Sequence, residues 1–191
     1  MGKIIPIEVS ARHIHLCQED LEKLFGVGYQ LKKLKQLTQP CDFAAEETLT
    51  IKNDGQIISD VRIVGPVRGE TQVEISKTEA VNLGINSALR ESGDIEGTSG
   101  ITLIGPKGEL KIEKGVIIAL RHIHCSPEEA KNLKIKDGEM VSLKIEKERS
   151  IIFNNIKVRV RDDYKLCAHI DTDEGNAAGI DKKAEGKLVK L

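Results

Sequence analysis

Short hydrophobic runs rich in valine and isoleucine recur along the chain, each bounded by polar or turn-forming residues. Runs of this kind indicate β-strands, and turns such as Asn53-Asp54-Gly55 and Gly105-Pro106-Lys107-Gly108 separate them. The predicted strands are residues 3–9, 48–52, 56–64, 71–75, 101–104, 109–113, 115–120, 139–146, 151–161 and 166–170. Many short strands punctuated by glycine are typical of barrels and sandwiches, so the fold is predicted to be mainly β.

A few short helices are predicted between the strands. Ser126-Pro127-Glu128-Glu129 has the features of a helix start, with serine at the N-cap, proline at the first helical position and acidic residues in the first turn. Similar helices are predicted over residues 19–25 and 78–83, and a last one from Asp173 to a stop at Gly179. The lysine-rich tail, residues 182–190, is predicted to be a solvated end.

An internal repeat links the two halves of the chain. Val9-Ser10-Ala11-Arg12-His13-Ile14-His15 recurs as Ile118-Ala119-Leu120-Arg121-His122-Ile123-His124, and each copy leads into a short acidic helix. Further echoes link residues 79–85 to 129–135 and residues 61–66 to 101–106. The sequence therefore predicts duplicated β units, each closing a small barrel with short helices at its corners.

The two Arg-His-Ile-His segments contain four of the five histidines, and the fifth is His169. In a strand, residues i and i+2 point to the same face, so each His-x-His presents two imidazoles side by side, as a metal chelate requires. A lone strand histidine is more often an ordinary core or surface residue, but the duplication favours metal ligation. A donor set of histidines with a carboxylate favours a catalytic site over a structural one. Cys17 and Cys125 lie near the pairs but do not match in the repeat, so they are interpreted as ordinary thiols.

Arg68 and Glu74 follow the Gly65-Pro66 turn. An arginine fork beside a metal suits phosphate or carboxylate. Taken alone, Arg68 would be interpreted as a charge on a surface loop, and Glu74 could equally be a residue on the solvent face of its strand. The glycine-rich nucleotide loops of the common types are absent from the sequence.

Composition excludes several classes of protein. The net charge is −1 and the pI about 6.5, which argues against a partner that is nucleic acid or an acidic membrane. With no tryptophan, two tyrosines and three phenylalanines, the chain is poor in the aromatic residues that stack on bases. No apolar run is long enough to span a bilayer, and the first residues do not form a secretory signal. The four scattered cysteines fit reduced thiols in a cytoplasmic protein.

Several of these motifs, in the same order, resemble the PduL-type phosphate acyltransferases, also called phosphate propanoyltransferases. The resemblance extends over roughly residues 4–180. The matching segments are residues 7–16, 37–40, 43–48, 64–74, 119–124 and 169–174, with Asn176-Ala177 after them.

The resemblance implies an enzyme that moves an acyl group between coenzyme A and phosphate: acyl-CoA + phosphate ⇌ acyl phosphate + CoA. It implies two divalent metal ions per subunit, normally zinc, in one cleft, with Arg68 holding phosphate. The residues that match the family's metal ligands are His13 and His15 for the first ion, His122, His124 and His169 for the second, and Glu74 as the carboxylate at the dimetal site. The sequence assigns no residue to CoA binding.

The family resemblance also implies two β-barrels with short capping helices, in a homodimer. One barrel interrupts the other, which gives approximate domains of residues 1–11 plus 120–191 and of residues 12–119. Family members that enter bacterial microcompartments carry an N-terminal extension, and the first motif here begins within about ten residues of the start. We therefore expect a cytoplasmic rather than an encapsulated enzyme.

Two other classes of function stay open at this point. A zinc hydrolase could use a metal-bound hydroxide on a thioester or phosphoester, and its product release would ignore added phosphate. A non-catalytic metal-binding barrel would have closed four-coordinate sites and no turnover.

Overall fold

A computed structural model describes residues 3–189. In chain order the elements are β1 (Ile4–Ser10), β2 (His13–His15), α1 (Gln18–Phe25), β3 (Lys33–Gln36), β4 (Phe43–Asn53), β5 (Gln56–Gly65), β6 (Gln72–Glu74), α2 (Lys77–Asn82), β7 (Ala88–Arg90), β8 (Ser99–Gly105), β9 (Gly108–Ala119), β10 (His122–Cys125), α3 (Pro127–Leu133), β11 (Met140–Ile145), β12 (Ile151–Val160), β13 (Cys167–Asp171), α4 (Thr172–Ala178) and β14 (Lys183–Val189). The fold is mainly β, as predicted.

The chain divides into two compact units, each built on a closed barrel of six strands. The first barrel is built from residues 3–11 and 120–189, with strands in the order β1-β13-β10-β12-β11-β14. The second barrel lies between Arg12 and Ala119, and its strands β4, β5, β2, β6, β9 and β8 close in a ring. In the second unit, β3 adds to β4 and β7 adds to β9.

The two barrels have the same topology. In each, the His-x-His strand, β2 or β10, lies between a parallel neighbour (β5 or β12) and an antiparallel neighbour (β6 or β13). Around the rest of the ring, β4 corresponds to β11, β8 to β14 and β9 to β1. The duplication predicted from the repeated motifs thus extends to every strand of the barrels.

The first strand of each repeat is exchanged. β1 precedes β2 in the chain but pairs with β13 and β14 in the first barrel, whereas β9 precedes β10 but pairs with β6 and β8 in the second. Each barrel is therefore completed by the strand that leads into the other barrel's histidine strand.

Equivalent aliphatic residues fill the two barrel cores. Ile14, Ile63 and Val73 are fully buried in the second barrel, and the corresponding Ile123, Val158 and Ala168 are fully buried in the first. Alternation along a strand then places the neighbours of these residues on the outer face of the barrel wall. The histidines are such neighbours.

The structure differs from the predicted elements in a few places. The prediction of a solvated tail is wrong for residues 183–189, which form β14. Lys190 lies outside the described residues. Residues 109–113 and 115–120 were predicted as two strands but belong to one, β9. Thr38–Cys41 lies with the first barrel, although the predicted boundaries place it in the second domain. Within residues 3–189, no helix is both long and apolar enough to cross a membrane.

Candidate functional site

The second barrel brings His13, His15 and Glu74 together. On β2, Ile14 points into the core, so the two histidines project from the opposite face. β6 pairs with β2 in antiparallel register with Glu74 opposite His13, which adds a carboxylate to the same face. Their ligand atoms lie within 4.8 Å of one another.

The geometry of this triad fits a cation. The Nε2 atoms of His13 and His15 are 3.2 Å apart, and the two carboxylate oxygens of Glu74 lie 3.6 Å and 3.9 Å from them. All three side chains are at most 13% exposed. Two imidazole nitrogens and a carboxylate converging in a buried place are a donor set that Zn²⁺ binds.

Protein groups orient both kinds of ligand in this triad. Nδ1 of His15 lies 3.0 Å from the carbonyl oxygen of Val64, which leaves Nε2 to face the other ligands. The side-chain amide of Gln72 donates to Glu74 Oε1 at 2.7 Å, and its own oxygen accepts from the backbone N–H of Gly93 at 2.7 Å. Such supporting contacts are characteristic of metal ligands.

The first barrel holds the corresponding triad of His122, His124 and His169. β10 and β13 pair in the same antiparallel register as β2 and β6, so His169 stands where Glu74 stands in the second barrel. The ring centroids are 4.5–5.2 Å apart. The two triads therefore differ in charge: two imidazoles and a carboxylate in one, three imidazoles in the other.

His124 is the member of this triad that lacks hydrogen bonds. Among residues 3–189, neither ring nitrogen of His124 has a hydrogen-bond partner, and the residue is 8% exposed. Its ring packs against Tyr164 with centroids 4.0 Å apart. In contrast, Nδ1 of His122 lies 2.8 Å from the carbonyl oxygen of Leu120. A buried imidazole without partners is costly unless something binds it, and a metal ion would satisfy it.

Electrostatics keeps the buried rings neutral, as metal ligation requires. Burial lowers the pKa of His15 well below its usual value, and the neighbouring His13 and Arg68 lower it further. Burial likewise lowers the pKa of His124, with contributions from His122, His169 and two nearby arginines. The donor chemistry of both triads therefore fits a bound divalent ion.

These pKa shifts predict that the metal-free protein loses stability in mild acid. The unfolded chain protonates His15 and His124 near pH 6.5, while the folded chain keeps them neutral at lower pH. The unfolded state then binds more protons, so the free energy of unfolding should fall as the pH drops below 6.5, by up to about 1.4 kcal/mol per pH unit for each ring.

Urea unfolding of chelator-treated protein, followed by circular dichroism as the pH is lowered from neutral, measures this dependence. A His124→Leu variant is the control, since it should show about half of the dependence. An unfolding midpoint that stays constant through pH 6 would contradict the prediction.

Arg68 lies in the same barrel as the His13 triad. Its backbone N–H donates to the carbonyl of Leu16, just after the His-x-His pair, at 2.8 Å. Its guanidinium lies 3.3 Å from Ser92 Oγ and 3.5 Å from Asp42 Oδ1, and the side chain is 36% exposed. Long, partly exposed contacts of this kind leave the fork able to exchange its partners for an anion.

The arginines that precede each histidine pair have a structural task. Arg12 pairs with Glu79 at 2.7 Å, and Arg121 with Glu174 at 3.0 Å. Both glutamates complete the capping boxes that start α2 and α4. These two ion pairs tie each histidine strand to the helix that follows the third residue of its triad.

The cysteines differ in position, as the repeat predicts. Cys17 is the N-cap of α1 and corresponds to Ser126, the N-cap of α3. Burial raises the pKa of Cys125 to about 11 and that of Cys167 to about 12, so both thiols are neutral at pH 7.

Some supporting groups were not predicted from the sequence. Gln72 had a detectable signal, because it lies two residues before Glu74 and so shares its face. Asp42, opposite Arg68, and Tyr164, against His124, are brought in by loops of unpredicted path. The contacts of His15 and His122 with Val64 and Leu120 use backbone carbonyl groups, so no side chain at these positions could have predicted them.

Comparison with known proteins identifies the family of the chain. A family model described as phosphate propanoyltransferase matches residues 6–181. The phosphate propanoyltransferase of Thermotoga maritima is 53% identical over 188 residues, which covers 98% of this chain and 88% of the relative. That of Lachnoclostridium phytofermentans is 48% identical over 94% of this chain and 84% of its own length, and that of Salmonella typhimurium is 49% identical over 93% and 84%.

Proposed function

Since this chain belongs to the phosphate propanoyltransferase family, we propose that it is a zinc-dependent enzyme that interconverts propanoyl-CoA or acetyl-CoA plus phosphate with the acyl phosphate plus CoA. The observation that supports this function best is the pair of triads at one register position of two duplicated barrels, with a partly exposed arginine beside one of them.

Each triad supplies three protein ligands, the number typical of catalytic rather than structural zinc. We assign one ion to His13, His15 and Glu74 and one to His122, His124 and His169. Zinc held there would supply Lewis acidity, which favours the thiolate form of CoA at neutral pH.

The chain's own contribution to the transfer is positioning and charge. Arg68 would bind phosphate through its two parallel N–H groups, in place of its long contacts with Asp42 and Ser92. A phosphate oxygen then attacks the thioester carbonyl, the C–S bond breaks and CoA leaves as the thiolate. Holding two substrates in this orientation can contribute on the order of 7–11 kcal/mol to catalysis. Direct transfer needs no acyl-enzyme.

The assay is phosphate-dependent release of CoA thiol from propanoyl-CoA and acetyl-CoA, followed with a thiol reagent. We expect release only when phosphate is present, loss of activity with a chelator, and recovery with zinc. Metal analysis of the same sample should give two zinc ions per chain. Release that ignores phosphate would identify a hydrolase, and no release by the zinc-loaded protein would contradict the transferase.

We also propose that the enzyme is a homodimer, as its family resemblance implies. Light scattering on the eluting protein tests this assignment, and a monomer mass at assay concentration would contradict it.

A further inference from the structure

The first barrel contains another ligand set beside the triad of histidines. Glu8 on β1 and Cys167 on β13 lie near His169, and the ligand atoms of the three are within 4.8 Å of one another. A carboxylate, a thiol and an imidazole are the three donor types that zinc-like ions bind in proteins. The function proposed above uses only His169 of these three.

Strand pairing explains why these side chains meet. β1 and β13 pair in parallel with Glu8 beside His169, and Cys167 precedes His169 by two residues on the same face. The intervening Ile7 and Ala168 point into the barrel core. The set is therefore fixed by the backbone of two adjacent strands rather than by a mobile loop.

The second barrel has no such set at the equivalent positions. There the residue corresponding to Glu8 is Ile117, which pairs with Glu74, is fully buried and offers no ligand atom. The residue corresponding to Cys167 is Gln72, which hydrogen-bonds to Glu74. The thiol and the carboxylate are thus a feature of the first barrel alone, and the duplicated fold does not require them.

The present contacts of the two new donors leave room for a cation. Thr38 and Lys183 both contact Oε1 of Glu8, each at 2.5 Å, so within residues 3–189 Oε2 is the oxygen without a hydrogen bond. The Sγ atom of Cys167 has a 3.5 Å contact with the carbonyl of Ala168 and a hydrogen bond with the backbone of Glu8, and the residue is fully buried. The charged contacts of Glu8 hold it as a carboxylate beside the sulfur.

We infer that Glu8, Cys167 and His169 form a further metal site, one that competes with the first-barrel triad for His169 and selects thiophilic divalent ions such as Cd²⁺ or Zn²⁺ through its sulfur ligand. Binding displaces the thiol proton of Cys167 to solvent and forms a metal–sulfur bond, with no change in oxidation state. The histidine triads contain no sulfur, so the site differs from them in a way that a spectrum can detect.

The test is titration of chelator-stripped, full-length protein with Cd²⁺, followed by the ultraviolet sulfur-to-cadmium charge-transfer band. Cys17 and Cys41 are replaced with serine in every protein tested, so that Cys125 and Cys167 are the cysteines that remain. In this background we expect the band to develop and saturate as cadmium is added, whereas cadmium bound by the histidine triads gives no sulfur band. The band should disappear in Cys167→Ser and persist in Cys125→Ser, the matched control whose thiol is buried in the core of the same barrel.

A second variant makes the test independent of the cysteine. Glu8→Gln keeps the size of the side chain, and loss of a direct ligand should weaken cadmium binding at least about 100-fold, since groups that only support ligands already change affinity 10–100-fold. Circular dichroism confirms that each variant is folded. No band in the parent, or a band that survives Cys167→Ser, would overturn the inference, and neither result bears on acyl transfer.

Discussion

Replacing His124 with leucine is expected to stabilise the metal-free protein and to abolish acyl transfer. The imidazole is buried, and neither of its nitrogens has a hydrogen-bond partner within the described part of the chain. Leucine has a similar volume and no polar atom, so the free energy of unfolding without metal should rise by about 1–3 kcal/mol. With zinc present, one ion should be lost and the rate should fall at least about 100-fold.

Urea unfolding with and without zinc, metal analysis and the CoA-release assay measure these effects on one preparation. His15→Leu is the matched control, because it leaves the carbonyl of Val64 without its imidazole partner. That variant should lose activity as well, but without a gain in metal-free stability. A His124→Leu protein that is less stable without metal, or that keeps both ions and full activity, would contradict the role assigned to this ring.

Replacing Arg68 with alanine is expected to lower kcat/KM for phosphate while leaving acyl-CoA binding and zinc content nearly unchanged. Hydrogen bonds to a charged group contribute about 1.5–3 kcal/mol each, so kcat/KM for phosphate should fall roughly 10–150-fold or more. The KM for acyl-CoA and the zinc content should stay near their original values, because the guanidinium contacts Ser92 and Asp42 rather than a metal ligand.

Two variants sharpen this experiment. Arg68→Lys keeps the charge but not the parallel N–H groups, and it should recover only part of the activity. Arg90→Ala removes an arginine of similar exposure from β7, where its partner is Asp94, and should leave the kinetics unchanged. Loss of zinc from Arg68→Ala would make this residue structural. An unchanged phosphate dependence would exclude it from phosphate binding.

The imidazole pairs were predictable because their geometry is local. A strand directs residues i and i+2 to one face whatever surrounds it, so His13 with His15 and His122 with His124 follow from the sequence alone. The third members of the triads, Glu74 and His169, depend on the pairing of strands far apart in the chain. Residue pattern did not give the register that sets Glu74 opposite His13, and the family resemblance supplied that expectation.

The tail shows why part of the fold was missed. Along β14, Lys183, Glu185 and Lys187 alternate with Ala184, Gly186 and Leu188, and the second set faces the first barrel's core. Only one member of the inward set is large. Gly186 is small because a Cβ there would approach Ile7 Cδ1 to 2.8 Å. The strand therefore carries few hydrophobic atoms, and its charge dominates the local composition.

The position of Thr38–Cys41 in the fold could not be predicted from the sequence either. Thr38 donates to Glu8, and the side chain of Gln39 bonds both polar groups of the Lys165 backbone. These partners lie in the first barrel, whereas the strands on either side of the segment, β3 and β4, lie in the second. No local sequence pattern predicts contacts between residues so far apart in the chain.

The exchange of β1 and β9 makes the molecule topologically equivalent to a swapped dimer whose halves have been joined by a peptide. The joint is the turn between β8 and β9, at Pro106-Lys107. A protease that cut this turn would leave each fragment with its first strand hydrogen-bonded into the other fragment's barrel. The nicked protein should therefore migrate as one particle until denaturant breaks the hydrogen bonds between the strands. The linking peptide then fixes the ratio of the two halves at one to one, whereas the strand pairing holds them together.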